Sequence, residues 1–241
     1  MSNASISRGF AKRPRLTWMS SAVEFRPQTW LQALHASPWL TERLGVSESR
    51  RRLFHMSPAL LPIALPLFPH PDLWGPILIG IVLASTAFGL MLATCCGHFM
   101  KRSSEEDLMS AAMGYAIPTT AALLLLPGRA ELGLMTLQIV ALGDGSAALG
   151  GMLLGGRRLP WNQNKTYTGL VSFVIAGTCA ATWSYWGEAN PKVSGATACL
   201  ICGVAAVCAG IVESLPIRSS DNLRVGATAL AVGMLMSTWF G

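Results

Sequence analysis

Residues 194–214 read SGATACLICGVAAVCAGIVES, an apolar run with no charged side chain before Glu213. A helix needs about 20 mostly apolar residues to cross the roughly 30 Å of hydrocarbon in a bilayer. This stretch meets that requirement by itself and predicts a transmembrane helix. Its cysteines, like the others in the chain, lie in apolar runs, and we interpret them as small packing residues.

Similar apolar stretches recur along the chain, and they predict an all-α fold: a polytopic transmembrane bundle of about seven segments, some broken or short. They lie at 57–70, 74–97, 108–126, 131–154, 169–187, 194–214 and 225–240. The first is short and rich in proline, which predicts a broken, tilted or re-entrant segment. A glycine-rich run in the fourth predicts a helix break near Asp144. Alternation with a period of two residues is absent, so a transmembrane barrel is not predicted.

The composition supports a membrane protein with a separate tail. Charged residues are 12% and apolar residues 51% of the 241 residues, whereas soluble domains are roughly 25% charged. Residues 1–49 are polar and basic and predict a cytoplasmic tail, with either an amphipathic helix on the membrane surface or little order. Residues 50–241 predict a transmembrane catalytic domain. The net charge of +6 is better explained by membrane topology than by nucleic acid, which we do not expect as a partner.

The distribution of lysine and arginine predicts the orientation in the bilayer. If the N-terminus is cytoplasmic and all seven segments cross, 16 of the 18 Lys and Arg residues lie on the cytoplasmic side. Only Arg129 and Lys192 then lie in outside loops. The positive-inside rule strongly favours this orientation over its inverse. Every polar cluster that could carry chemistry falls on the cytoplasmic side.

Asp144 is the first candidate for a catalytic and metal-binding residue, because it interrupts an apolar run. A carboxylate at the centre of a membrane helix costs about 2.5–3.5 kcal/mol on insertion scales, so it is expected to face a polar interior or a cation. Gly143 and Gly145 would let a phosphate or metal approach closely, with Ser146 beside them. The alternative is an interfacial Asp that caps the next helix.

The following turn supplies cations. Arg157 and Arg158 could bind phosphate oxygens in pairs, and Lys165 adds a compact positive charge at the entry to the next helix. A carboxylate followed by these cations is a sensible order for binding a metal–triphosphate complex. The alternative is that these cations only anchor the loop on the cytoplasmic side, as the positive-inside rule describes. This alternative explains the two arginines well and Lys165 less well. No Walker A or Gly-x-Gly-x-x-Gly pattern is present.

Two further clusters flank this centre. Glu213 ends an apolar segment, and Asp221 and Asn222 follow after a turn; the acids are candidate magnesium ligands with Asp144, because magnesium takes oxygen ligands from carboxylates and phosphates. The alternative is a polar turn that caps the last helix. Near the start of the domain, His55 lies one helical turn from its neighbouring arginines and could join a phosphate-binding face, although a lone interfacial His is more often structural. Those arginines are Arg51 and Arg52.

In order, these motifs resemble the CTP-dependent lipid kinases, a group that includes dolichol kinase, phytol kinase and a CTP-using diacylglycerol kinase. The group is distantly similar to phosphatidate cytidylyltransferase. The resemblance covers about residues 50–240 and lies in Arg-Arg-Leu-Phe-His, Leu-Gly-Asp-Gly-Ser, Gly-Gly-Arg-Arg with the following Lys-Thr-Tyr-Thr-Gly, and Val-Glu-Ser-Leu-Pro with Asp-Asn-Leu. It implies that the Gly-Asp motif and the lysine bind the nucleotide and its magnesium, and that the Glu and Asp-Asn motifs complete the site. Those positions are Asp144, Lys165, Glu213, Asp221 and Asn222.

The resulting hypothesis is a multi-pass membrane kinase that phosphorylates a polyprenol-, phytol- or diacylglycerol-type alcohol with CTP and magnesium at the cytoplasmic face. Two alternatives remain: a cytidylyltransferase that condenses CTP with a phosphorylated lipid, and a non-enzymatic transporter, for which broken helices and an intramembrane carboxylate are also typical. The absence of an internal repeat argues against the transporter. The sequence leaves the oligomeric state open, with a homodimer among the options.

Overall fold

The computed structural model describes residues 52–53, 55–68, 108–126, 128–217 and 220–240. Several sequence-based predictions lie outside these ranges and stay predictions. They are the N-terminal tail with its amphipathic helix, the membrane segment at 74–97, and Arg51. The described residues belong to one compact unit.

The described part of the chain is mostly helical. Its helices are α1 (Leu60–Ala64), α2 (Leu108–Leu125), α3 (Ala130–Leu153), α4 (Tyr167–Glu188), α5 (Gly195–Ser214) and α6 (Asp221–Phe240). A hairpin of β1 (Arg158–Leu159) and β2 (Asn162–Thr166) lies between α3 and α4. Among the described helices, α3, α5 and α6 are both long and apolar enough to cross a bilayer. The chain is therefore a helical membrane protein, as predicted, and the number of seven segments stays a prediction.

The first segment is broken, as its prolines predicted. Two 3-10 turns, Ser57–Ala59 and Leu65–Leu67, flank the short helix α1, and Pro58 and Pro66 are the second residues of the two turns. Proline has no N–H and its ring clashes with the preceding turn, so an α-helix cannot continue through this spacing. The described segment, Ser57–Leu67, is too short to span a membrane as a helix.

The predicted helix break near Asp144 is wrong. The chain stays helical from Ala130 to Leu153, and Ile139–Asp144 form a π-helical turn within it. A π turn inserts a wider loop of backbone and is frequent at functional sites. It re-aims the side chains that follow without ending the helix, so the sequence correctly marked an irregularity and misjudged its form.

The turn after α3 is more ordered than predicted. The sequence predicted only a turn here, in an all-α protein. Instead β1 and β2 pair antiparallel across a bulge between Arg158 and Leu159. Gly155 and Gly156 enter the hairpin with φ of +65° and +116°, values that glycine adopts without the steric cost of a Cβ. The hairpin ends at Thr166, whose side chain caps α4 by accepting from the Gly169 N–H.

The core of the bundle is built from small residues and one aromatic wedge. Helix α5 contributes fully buried alanines and packs closely on both α4 and α6. Small residues let helix backbones approach each other inside a membrane. Phe173 of α4 is completely buried, and its ring fills the space that side chains would need at Gly143 and Gly210. This wedge fixes the π-helical part of α3 against α4 and α5.

Candidate active site

Lys165 connects the hairpin to the end of α5 and the start of α6. Its Nζ donates to the Glu213 carboxylate and, at 2.6 Å, to the Glu213 backbone carbonyl. The same ammonium lies 3.6 Å from Asp221 Oδ2. The Glu213 side chain is almost fully buried, with 7% exposure, whereas that of Asp221 is 49% exposed. One cation thus contacts two carboxylates from different helices.

Arg224 adds a second cation to this cluster. It forms an ion pair with Asp221, one turn earlier in α6. Its guanidinium also donates to the Val212 carbonyl at 3.1 Å, which accepts from the Leu215 N–H at the end of α5 as well. The arginine therefore ties the first turn of α6 to the last turn of α5. Asn222, next to Asp221, is buried and packs against Gly114 of α2.

The hairpin is fastened to the end of α5 beside this cluster. The indole Nε1 of Trp161 donates to Ser214 Oγ at 3.0 Å, and Asn162 Nδ2 donates to the Ser214 carbonyl at the same distance. Asn162 Oδ1 also accepts from the Asn164 N–H, so this amide supports the turn of the hairpin. These bonds hold β2 where Lys165, near its end, reaches Glu213.

Asp144 makes its closest contact with residues 55–68, which we call the proline-containing segment. Its Oδ2 lies 2.6 Å from His55 Nε2, and the two side chains are 18% and 19% exposed. Met56, the next residue, covers Gly145: a Cβ on that glycine would lie 2.4 Å from Met56 Cγ. The glycine therefore permits close approach of a side chain of the protein.

The two clusters lie near each other, since the Phe173 ring packs against Gly143, next to Asp144, and against Gly210, three residues before Glu213. Residues from the proline-containing segment, α3, the hairpin, α5 and α6 therefore meet at one end of the bundle. The cations of this group can bind anionic oxygens, and the carboxylates hold those cations in position.

Comparisons with known proteins find several kinases that are similar to this chain. The chain is 25% identical to a probable phytol kinase of Glycine max over 77% of its length, and 28% identical to one of Oryza sativa over 80%. It is 24% identical to a farnesol kinase of Arabidopsis thaliana over 56% of its length. This chain is homologous to the phytol and farnesol kinases. The predicted relationship to the lipid kinases is confirmed.

The matches leave part of each relative uncovered. The aligned region spans 62% of the Glycine max protein, 68% of the Oryza sativa protein and 46% of the farnesol kinase. All three carry names that describe chloroplastic proteins. No model of a known protein family and no solved structure matches the chain.

Other predicted site residues of this lipid kinase homologue lie at the edge of the cluster. Arg157 and Arg158 are exposed at the hairpin, where Arg158 donates to the Gln163 carbonyl at 2.6 Å. Ser146 donates to the backbone carbonyls of Gly143 and Ser172, at 2.8 and 3.1 Å. The Phe173 ring occupies the space at Gly143 that was predicted to admit a phosphate. Their roles in nucleotide binding stay predictions.

The structure adds two residues that the sequence did not single out. Arg224 was counted only as an orientation marker, although its position three residues after Asp221 on a helix is the spacing of an ion pair. The second residue is Trp161, whose bond to Ser214 has no signal in a single sequence. Within the described ranges, no three His, Cys, Asp or Glu residues lie close enough together to hold a metal by themselves.

Proposed function

We propose that this protein is a membrane-embedded kinase that transfers the terminal phosphate of CTP to an isoprenoid lipid alcohol. The observation that carries the proposal is the convergence of Lys165 and the His55–Asp144 pair from distant parts of the chain. The homology to phytol and farnesol kinases supports the reaction class. CTP as the donor rests on the family resemblance of the motifs, and the cytoplasmic location of the site rests on the lysine and arginine distribution.

The charges of the site suit phosphoryl transfer. Catalysis of this reaction is mostly positioning and electrostatic stabilisation of the oxygens of the transferred group. Lys165 and Arg52 would bind the phosphates of the donor. Glu213 and Asp221 keep the Lys165 ammonium in place, since each carboxylate already contacts it. The lipid hydroxyl would approach laterally between helices and meet the phosphates at this end of the bundle.

His55 and Asp144 form a pair that can handle a proton. A carboxylate that accepts a hydrogen bond from an imidazole orients the ring and stabilises its charged form. With Asp144 bound at Nε2, His55 would take the proton of the lipid hydroxyl as the oxygen–phosphorus bond forms and CDP leaves. The 2.6 Å contact supports this role.

A magnesium ion bound together with the nucleotide is part of the proposal. Because no three acidic or imidazole side chains cluster within the described residues, the protein would supply few ligands, and phosphate oxygens and water the rest. Asp144 is the first candidate ligand, with Asp221 and Glu213 as the other predicted ones. Bound there, the ion would neutralise charge on the phosphates.

An assay of purified protein with a panel of alcohols tests the proposal. The protein in nanodiscs is incubated with magnesium and CTP labelled at the γ-phosphate, together with phytol, farnesol, a dolichol or diacylglycerol. We expect label in a lipid monophosphate, most strongly with the short isoprenoid alcohols, and unlabelled CTP should compete better than ATP. Absence of label in every lipid would defeat the proposal.

Removal of magnesium gives a second expectation. Chelation with EDTA should abolish the transfer of label, because the triphosphate would lose its bridging cation, and added magnesium should restore it. Calcium at the same concentration serves as the control for general ionic effects. Full activity in EDTA would remove the metal from the mechanism.

A further inference from the structure

The proline-containing segment that presents His55 is attached to the bundle by buried polar side chains. Pro66 has no N–H, so the carbonyl of Pro62 loses the donor that an α-helix would give it four residues later. A buried carbonyl without a partner is unfavourable. Ser184 of α4 supplies the missing bond, since its Oγ donates to the Pro62 carbonyl at 3.0 Å.

Gln138 of α3 completes this attachment. Its side chain is fully buried, and its Nε2 donates to Ser184 Oγ at 3.1 Å and to the Ala59 carbonyl at 3.4 Å. Both amide hydrogens are thereby used, and the Ser184 hydroxyl is oriented toward Pro62. The two side chains form a relay from α3 through α4 to the backbone of the segment. We call this pair the segment clamp.

Neighbouring contacts fix the same stretch. The indole Nε1 of Trp183 donates to the Ile63 carbonyl at 3.0 Å. Gly187, one turn after Trp183, lies under Pro66, and a Cβ there would come within 2.5 Å of the ring. Helix α4 therefore holds the segment by hydrogen bonds and by close packing. Polar side chains in the apolar interior of a membrane bundle are costly unless they have such a specific partner.

The same helix, α3, provides both Gln138 and Asp144. The segment crosses α3 in the opposite direction: Ala59 meets Gln138, and His55, four residues earlier, meets Asp144, six residues later. The π-helical turn lies between the two contact points on α3. Any sliding or tilting of the segment at the clamp would thus change the position of His55 relative to Asp144.

We infer that Gln138 and Ser184 are positioning residues that set His55 against Asp144. The effects on turnover that this inference predicts rest on the proposed function. Neither residue touches the reacting groups; each acts through the backbone of the segment. The polar side chains in the middle of the bundle thereby serve the active site at its end.

A double-mutant cycle tests this role. Ser184→Ala should lower kcat for alcohol phosphorylation by about tenfold, because small misplacements of reacting groups are costly, with little change in the KM for the nucleotide. In a His55→Ala background the same change should alter kcat by less than about twofold, since non-additivity is the sign of residues that act together. Thr136→Ala is the matched control: that hydroxyl is also buried but bonds only to its own helix, at the Leu132 carbonyl. An equal fall in kcat in both backgrounds, or no fall in either, would overturn the inference.

A measurement that needs no activity separates this inference from the proposed function. Modification of His55 by diethyl pyrocarbonate is followed by mass spectrometry in folded, detergent-purified protein. Ser184→Ala and Gln138→Leu should accelerate modification of His55 several-fold, and Thr136→Ala and Ser184→Thr, which retains the hydroxyl, should not. Unchanged rates in the first two variants would refute the clamp even if the kinase is active. Accelerated rates in a protein that phosphorylates no lipid would refute the proposed function alone.

Discussion

Three carboxylates that are buried or largely buried in the described helices share one arrangement: a cation or an imidazole lies beside each of them. Glu131 of α3 lies 2.5 Å from Arg129, Asp144 lies 2.6 Å from His55, and Glu213 contacts Lys165. Burial of an unpaired charge is very costly, so such pairs are needed for insertion and folding alone. Pairing by itself therefore does not identify a catalytic acid. What distinguishes the Asp144 and Glu213 pairs is that they lie near each other around Phe173, and that Asp221 and Arg224 join the Glu213 cluster.

This distinction predicts different outcomes for two similar substitutions on α3. Asp144→Asn should lower alcohol phosphorylation by at least about a hundredfold, the scale of losing one electrostatic contact to the reacting group, and leave the amount of protein in the membrane unchanged. Glu131→Gln removes a charge of the same helix outside the site and should leave turnover within a few-fold of wild type. Rates of purified variants with saturating CTP and phytol provide the comparison. Near-normal turnover of Asp144→Asn would exclude this residue from the mechanism.

The Lys165–Glu213 pair should have separable effects on stability and activity. Lys165→Met leaves a nearly buried carboxylate without its cation and should destabilise the protein by roughly 3–5 kcal/mol. Adding Glu213→Gln removes that charge and should restore much of the thermal stability, while phosphorylation stays absent because the phosphate-binding cation is gone. Thermal unfolding in detergent and the label-transfer assay measure the two effects. Recovery of activity in the double variant would show that Lys165 serves folding only.

At the scale of elements, two pieces that are not long helices deliver the reactive groups. The proline-containing segment carries His55, and the hairpin carries Lys165. Each is fastened to a bundle helix through backbone carbonyls: the segment at Pro62 by Ser184, and the hairpin at the Ser214 carbonyl by Asn162. The long helices thus form a frame, and the short elements determine which side chains face each other.

Close packing at Gly145 should be necessary for this delivery. Gly145→Ala would place a Cβ against Met56 and push away the segment that carries His55. We expect a fall of about tenfold in kcat, and partial recovery when Met56→Ala is added, because the second change makes room for the new methyl group. Gly195→Ala, at a glycine with open space around it, is the control. A fall that Met56→Ala does not relieve would contradict this explanation.

The helical bundle could be predicted from the sequence because apolar runs of about 20 residues have few other interpretations. A related reason singled out three charged residues, Asp144, Lys165 and Glu213. A charged side chain in or beside an apolar run is costly in a membrane, so it is expected to have a polar partner or a function. The π turn and the hairpin were missed, since glycines in both places also fit a break or a flexible turn. Ser184 and Gln138 were missed because a polar residue in an apolar helix gives no sign of which distant carbonyl it will meet.

At the scale of the whole molecule, the site lies at one end of the helices, and the Arg129–Glu131 pair lies at the start of α3, remote from it along the helix. The distribution of lysine and arginine predicts that the end with the site faces the cytoplasm. That orientation would give the site direct access to nucleotides. The lipid alcohol would reach it from the adjoining leaflet.

Cysteine labelling in cells tests the orientation. Arg157→Cys, on the exposed hairpin, should react with a membrane-impermeant maleimide only after the membrane is permeabilised. Lys192→Cys, in the turn before α5, should react in intact cells. Wild-type protein controls for the native cysteines in the apolar runs. The reverse pattern would place the site on the outer face and contradict the proposed access to CTP.

The central claim is that this site transfers the terminal phosphate of CTP to a lipid hydroxyl, and position-specific labelling tests it most directly. Purified protein is given magnesium, phytol and CTP labelled at either the α- or the γ-phosphate. The account predicts that only γ-label enters the lipid, as a monoester, and that α-label is recovered in CDP. Entry of α-label into a lipid with release of pyrophosphate, or no lipid label from either position, would contradict it.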